Sequence, residues 1–291
     1  MTKALHDQVP DSPAKSAWHH EFAASMDNDG SALIDLAGYP EVLALCDQAR
    51  ADMDGFGYKE TSRIQDLWQR SAAIRQLAIL PQVIGALEAY YGRQAIPFQT
   101  LNFRFGSQQA AHSDLMHFTP DPIQFMCGVW LALEDVHDDA GPLQYYPSSH
   151  KWPVVTMQDV GAPPDQRPQL SYTSLYEPAI AAEIAQRNAA PRRALIKKGQ
   201  AVVWAANLVH GGAPRQDEAK TRYSQVTHFF FQGCTYHSLM FQRENKRQLR
   251  LPHDIRTGQF ALPVLRPGDN LELRTILGAM RKRFNRVVHS S

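Results

Sequence analysis

The chain has 291 residues, with 30 lysines and arginines against 29 aspartates and glutamates, so its net charge is close to zero. That balance leaves no electrostatic footprint for nucleic acid or an anionic membrane. The three cysteines, Cys46, Cys127 and Cys234, are too scattered for a disulfide framework or a zinc ribbon. The length suits one domain with a core large enough to enclose a pocket. No apolar run reaches membrane-spanning length and no signal-peptide core opens the sequence, so a cytoplasmic setting is expected.

The first 14 residues or so are polar and punctuated by proline. Helical spacing then runs from Ala14 to Met26, with Trp18, Phe22 and Met26 at i, i+4 and i+8. Asn28-Asp29-Gly30 turns the chain into the short strand Ala32 to Leu36. Tyr39-Pro40-Glu41 opens a second helix that Asp54-Gly55-Phe56-Gly57 ends, with Cys46 as a buried structural thiol. A third helical stretch is expected from Ile64 to Leu77. A fourth runs from Pro81, placed as an N1 proline, to Gly92. From Pro97 the period changes to two: Leu101, Phe103 and Phe105 fall on one face of a strand, and Thr100, Asn102 and Arg104 on the other.

Ile123 to Leu133 reads as a strand buried on both faces. A turn-rich segment from Gly141 to His150 follows, then the apolar Trp152 to Val155. Residues 157–192 are rich in proline, alanine and glutamine, with one helical piece from Glu177 to Arg187. An insertion of this length between strands is a place for a substrate lid. Short strands are expected at Ala194 to Ile196 and Ala201 to Trp204, and a longer one from Arg222 to Phe231. On that strand Arg222, Ser224, Val226 and His228 share a face. The tail from Asp269 to Val288 reads as an amphipathic basic helix, a solvated face or a dimer contact. Helices first and many short strands after them predict a mainly β fold with flanking helices (α+β), a double-sheet jelly roll.

The chemistry concentrates around Ala111-His112-Ser113-Asp114. A histidine and a carboxylate two residues apart on an extended segment point the same way. They supply two of the three ligands of a 2-His-1-carboxylate site for non-haem Fe(II). The third ligand would be His210, in Val209-His210-Gly211-Gly212. His-x-Asp alone is a weak signal, so its surroundings have to decide.

Four features occur in order: His112-x-Asp114, Gly141-Pro142-Leu143 leading to Pro147-x-Ser149-His150, Val209-His210-Gly211, and an arginine soon after. In these the chain resembles the phytanoyl-CoA dioxygenase-like family of Fe(II)- and 2-oxoglutarate-dependent oxygenases, over about Pro97 to Phe231. The resemblance implies a cupin-like double-stranded β-helix with Fe(II) on His112, Asp114 and His210. It also implies 2-oxoglutarate as cosubstrate, O2 as oxidant, and release of succinate and CO2 as a small or medium-sized metabolite is hydroxylated. The alternatives are the same oxidant serving desaturation or ring formation, or a non-catalytic β-fold binding protein that keeps the scaffold.

A cosubstrate carboxylate calls for a planar bidentate donor, and Arg222 ranks above Arg215, which sits in a loop after Pro214. Trp130 matches a cosubstrate-side aromatic of some members, while Thr100, Asn102 and Ser224 are further cosubstrate contacts by face. One departure is Gly212, where the family often carries serine or threonine. Asp114 is retained, unlike in the family's halogenases, so hydroxylation is favoured. His117, Gln144, Tyr172 and Tyr176 are expected against substrate, and His150 in a structural corner. The whole is read as one domain: a helical buttress over residues 1–96, a β core over 97–232 carrying the lid, and an extension over 233–291.

Overall fold

Strands that are apolar on both faces need cover on both sides. The structure, a computed structural model, describes residues 13–56, 63–242, 247–265 and 269. The first strands are β1 (Ser31–Asp35), β2 (Ile64–Gln65), β3 (Ala95–Phe103), β4 (Thr119–Asp121), β5 (Met126–Ala132) and β6 (Leu143–Tyr145). They are followed by β7 (Arg192–Arg193), β8 (Gln200–Ala205), β9 (His210–Gly212), β10 (Ser224–Phe231) and β11 (Thr235–His237). Six of them form an antiparallel major sheet in the order β1-β8-β5-β10-β3-β2. A minor antiparallel sheet has the order β7-β6-β9, and β11 pairs with β4. The result is the expected jelly roll with outer helices.

Those helices are α1 (Pro13–Asp29), α2 (Pro40–Gly55), α3 (Ala72–Ala78) and α4 (Pro81–Tyr91), with α5 (Pro168–Ser171) and α6 (Glu177–Gln186) later. On the outer face of the major sheet, Val129, Leu131, Val203, Phe229 and Phe231 are buried in one core with Val42, Met53, Ile74 and Leu87. Full burial of each such side chain contributes roughly 1.5–3 kcal/mol. The alternate residues face inward, where Trp130, Val202, Trp204 and Val226 cluster with Leu143 and Tyr145 of the minor sheet. Pro40 and Pro81 start their helices, and Gly92 ends α4 at φ 64°, as their sequence positions predict.

The stretch Ile64 to Leu77 is not one helix. It divides into β2, a 3-10 turn at Leu67–Gln69, and α3. Asp66 takes a left-handed conformation at φ 56°, and Ser71 caps α3 by accepting from the Ile74 amide at 3.1 Å. These two local features break the periodic pattern. The first 96 residues are also more than a helical buttress, because β1 and β2 form both edges of the major sheet. Residues 157–192 hold more helix than expected, since α5 continues through a π turn at Tyr172–Tyr176 into α6. The tail helix predicted from Asp269 onward, with its dimer contact, lies outside the described residues beyond Asp269. Among the described residues no helix is long and apolar enough to cross a membrane.

Candidate metal centre and cosubstrate pocket

His112 and His210, far apart in sequence, sit opposite each other in an antiparallel bridge. Each backbone N–H donates to the other's carbonyl at 2.9 Å, which sets the two imidazoles side by side. Each ring is oriented in the same way: His112 Nδ1 lies 2.9 Å from Ala110 O, and His210 Nδ1 2.9 Å from Leu208 O. A proton on Nδ1 serves those carbonyls and leaves each Nε2 as the donor atom for a metal; at His112 the Gln109 side-chain amide lies 3.3 Å from that atom.

Asp114 arrives differently from the expected strand rung. Ser113 is extended, and Asp114 opens a 3-10 turn, Asp114–Met116, whose Leu115 amide donates to Ser113 Oγ at 3.3 Å. Its Oδ1 is 3.8 Å from His112 Nε2 and its Oδ2 3.8 Å from His210 Nε2. The ligand atoms of all three residues lie within 4.8 Å of one another, and all three are buried. Bonds of about 2.1 Å meeting at right angles put donors roughly 3 Å apart, so small side-chain rotations would close this set around a first-row divalent metal.

Neighbours hold the carboxylate in place. Asp114 Oδ2 accepts from Trp204 Nε1 at 2.8 Å and lies 3.4 Å from His228 Nε2. Trp204, Gly128 and His228 form one row across β8, β5 and β10. Glycine is required in the middle, because a Cβ on Gly128 would fall 2.2 Å from the Trp204 ring. Burial pushes the Asp114 carboxyl up, but His210, His228 and His112 outweigh it and hold the group well below the usual carboxylate range. Burial, reinforced by His210, lowers His112 to about 3 against the opposing pull of Asp114. At neutral pH the carboxylate is therefore ionised and His112 neutral, the states that ligation needs.

Arg222 lies just before β10, with its amide donating to Arg104 O at 2.7 Å. Its side chain is 2% exposed and its Cζ sits 5.3 Å from the Trp130 ring and 5.4 Å from Phe103. Nη1 donates to Gly141 O at 3.2 Å and Nη2 to Phe105 O at 3.5 Å, while Nε has no partner. Among the described residues it makes no ion pair. Burial lowers it to about 10, so it stays charged at neutrality. A buried guanidinium without a counterion is costly unless a ligand supplies one. Arg215 is committed elsewhere: it pairs with Glu218 at 2.8 Å and covers Phe105 at 4.6 Å.

Arg222, Trp130 and the triad line one cavity of about 1630 Å³. Ser224 shares the inward face of β10, its hydroxyl donating to Arg222 O at 3.4 Å. Thr100 and Asn102 do not reach the cavity. The alternate residues of β3, Gln99, Leu101 and Phe103, line it, while Asn102 donates at 3.2 Å to Gln225, whose own amide bonds Ile74 O of α3 at 3.1 Å. The face chosen for Thr100 and Asn102 from the sequence is thus the helix side. Gly212 is glycine for steric reasons, since a Cβ there would meet Gln108 N at 2.6 Å and Ser107 Oγ at 2.7 Å. Ser107 itself lines the cavity.

Of the residues expected against substrate, His117 lines the cavity. Gln144 does not, because Leu143 and Tyr145 take the inward positions of β6. Tyr176 is buried, and its hydroxyl accepts from the Ser113 amide at 3.1 Å, tying the metal-binding turn down. Tyr172 stacks on Tyr176 at 5.2 Å and lies 5.0 Å from the His117 ring. Both tyrosines pack with Met116, Tyr146 and Ile180, and from residues 157–192 only Gln169 lines the cavity. The segment expected as a lid is therefore anchored beside the metal turn. Sequence reading assigned no role to His228, although it shares the face of Arg222. It likewise passed over Trp204, and over Arg250, which lies in an extension without any motif.

A family profile described as phytanoyl-CoA dioxygenase (PhyH) matches residues 44–222. No curated protein matches the chain in sequence. Among solved structures, the chain is similar to the non-haem α-ketoglutarate-dependent carbocyclase SnoK from nogalamycin biosynthesis. The TM-score is 0.59 at 15% identity, over 75% of this chain and 86% of that one. The epimerase SnoN, solved with Fe3+, α-ketoglutarate and nogalamycin RO, gives 0.58 at 18% identity, over 76% and 86%. EctD from S. alaskensis with bound Fe gives 0.56 at 17% identity, over 79% and 80%. At such identities the likeness is one of fold. The family match, by contrast, spans more than half the chain, and with the His112-Asp114-His210 site inside a jelly roll it leads to one conclusion: the chain belongs to the phytanoyl-CoA dioxygenase (PhyH) family.

Proposed function

We propose that this protein is an Fe(II)- and 2-oxoglutarate-dependent oxygenase that hydroxylates a small or medium-sized organic molecule. The observation that carries the reading is a buried His-Asp-His triad sharing one cavity with a buried arginine that has no counterion. His112, Asp114 and His210 would hold Fe(II) and leave its remaining positions to the cavity. Arg222 would take the far carboxylate of 2-oxoglutarate between the Trp130 and Phe103 rings, and Ser107 offers a hydroxyl from the cavity wall. Bound there, iron and cosubstrate supply an oxidant from O2, with 2-oxoglutarate leaving as succinate and CO2.

The chain's own part is positional. Trp204 and His228 fix Asp114, and the carbonyls of Ala110 and Leu208 fix the histidine rings. Trp130, Phe103, Phe118 and Trp204 give the cavity an apolar flank beside the triad. Retention of Asp114 favours return of hydroxyl over halogen. The test is formation of succinate and CO2 that depends on both Fe(II) and O2, followed by mass analysis of the oxidised substrate. Gain of one oxygen atom supports hydroxylation; loss of two hydrogens would assign the same oxidant to desaturation or ring closure.

A further inference from the structure

Although the whole chain carries almost no net charge, its cavity is basic. Among the described residues, and beyond the metal ligand Asp114, five arginines line it against one carboxylate, Asp66. Most of these charges are spent or solvated. Arg222 belongs to the cosubstrate pocket, and Arg75 donates to the carbonyls of Ile255 at 3.2 Å and Arg256 at 3.4 Å. Arg63 donates to Gln109 at 3.3 Å, and Arg70 is exposed over the Phe56 ring at 4.4 Å. Asp66 is already held by Trp68 Nε1 at 3.2 Å and the Thr100 amide at 3.3 Å.

Arg250 is different. Its backbone amide is fixed to Tyr236 O at 2.7 Å, and its Cζ lies 5.1 Å from the Phe118 ring. Among the described residues its guanidinium has neither an ion pair nor a hydrogen bond. It is partly buried, and burial lowers it to about 10, so it presents a desolvated positive charge to the cavity. A fork of N–H donors pinned on an aromatic face, with no partner among the described residues, suits an incoming oxyanion. The position is close to the chemistry: Phe118 lies 4.9 Å from the His228 ring, and His228 touches Asp114 at 3.4 Å.

We infer that the substrate carries an anionic group, a carboxylate or a phosphate, which Arg250 holds beside Phe118 while the carbon to be oxidised reaches the metal. The inference rests on the cosubstrate reading, because Arg222 must be occupied by 2-oxoglutarate for Arg250 to be the partly buried cavity arginine left unpaired among the described residues. The test uses protein loaded anaerobically with Fe(II) and saturating 2-oxoglutarate, titrated calorimetrically with phenylacetate, phenyl phosphate and the uncharged phenylacetamide. At least one anion should bind about tenfold or more tightly than the amide, a difference of about 1.4 kcal/mol. Whichever anion is preferred identifies the group. Arg250→Gln should abolish the preference and leave 2-oxoglutarate affinity unchanged, while Arg250→Lys, which keeps the charge, should retain part of it. Equal binding of anion and amide, absence of binding by either anion, or a preference that survives in Arg250→Gln would overturn the inference. If the wild-type protein fails to bind 2-oxoglutarate, the cosubstrate reading falls first and takes this inference with it.

Discussion

Replacing Arg222 by methionine separates a functional arginine from a structural one. The side chain is 2% exposed and lacks a counterion among the described residues, so its charge is a burden when no anion is bound. The drop from its ordinary 12.5 to about 10, caused by burial, corresponds to roughly 3 kcal/mol of uncompensated desolvation. Methionine removes that cost but leaves the carbonyls of Gly141 and Phe105 each without one hydrogen bond, at about 1 kcal/mol apiece. The net expectation is a cofactor-free variant at least as stable as the wild type, by up to about 1–2 kcal/mol, with a melting midpoint roughly 2–4 °C higher per kcal/mol. Cosubstrate binding should move the other way. Loss of charge-assisted bonds worth about 1.5–3 kcal/mol should weaken 2-oxoglutarate roughly 10- to 100-fold in an anaerobic titration of the iron-loaded protein. Arg215→Met should leave that affinity within about threefold, because its charge is spent on Glu218. Unchanged 2-oxoglutarate binding in Arg222→Met, or a stability loss above about 3 kcal/mol, would refute the reasoning.

Tyr176→Phe strips the buried Ser113 amide of its acceptor, so it should cost about 1–3 kcal/mol and weaken Fe(II). Iron titration and thermal melting check this, and a variant unchanged in both would count against the tyrosine's role. Gly212→Ser forces a Cβ to within 2.6 Å of Gln108 N, and overpacking of this kind should lower stability by about 1–3 kcal/mol. A melting midpoint equal to wild type would mean the loop yields freely. Burial lowers His112 to about 3 and, aided by Arg247, His237 to about 4, so the native protein leaves them neutral where the unfolded chain takes up protons. Their contribution is full above about pH 6.5 and is lost as pH falls, by roughly 2 kcal/mol each at pH 5. Denaturant midpoints of the metal-free protein that stay flat between pH 7 and pH 5 would contradict it.

Much of the site was legible because it is written in local patterns. His112-x-Asp114, Val209-His210-Gly211 and the arginine after them each occupy a short motif, and the structure brings His112, Asp114 and His210 within 4.8 Å. The period-two rule also placed Arg222, Ser224, Val226 and His228 together on one face of the last long strand, the face that turns toward the cavity. It failed where one fact was missing, namely which side of β3 the helices cover, and so Thr100 and Asn102 were assigned inward. Gln144 fell to the same ambiguity on the three-residue strand β6. Other misses have different causes. Tyr172 and Tyr176 looked like lid residues by composition, but a hydrogen bond across 63 residues fastens Tyr176 to Ser113. Arg250 gave no signal at all, because a lone arginine becomes informative only through its surroundings in three dimensions, here the Phe118 ring and no ion pair among the described residues.

The most direct measurement is anaerobic titration of the metal-free protein with Fe(II) in the presence of 2-oxoglutarate, following the iron-to-ligand charge-transfer absorption, for wild type, His112→Ala and His210→Ala. The two histidines exchange backbone bonds at 2.9 Å and present buried Nε2 atoms to one point. The expected result is one iron per chain with the absorption developing fully in the wild type, and none in either variant, each of which still melts cooperatively. On admitting O2 only the wild type should form succinate. Saturable iron binding and absorption that persist in both variants would contradict the account, and an intact protein that binds neither iron nor 2-oxoglutarate would leave the fold as a scaffold for binding alone.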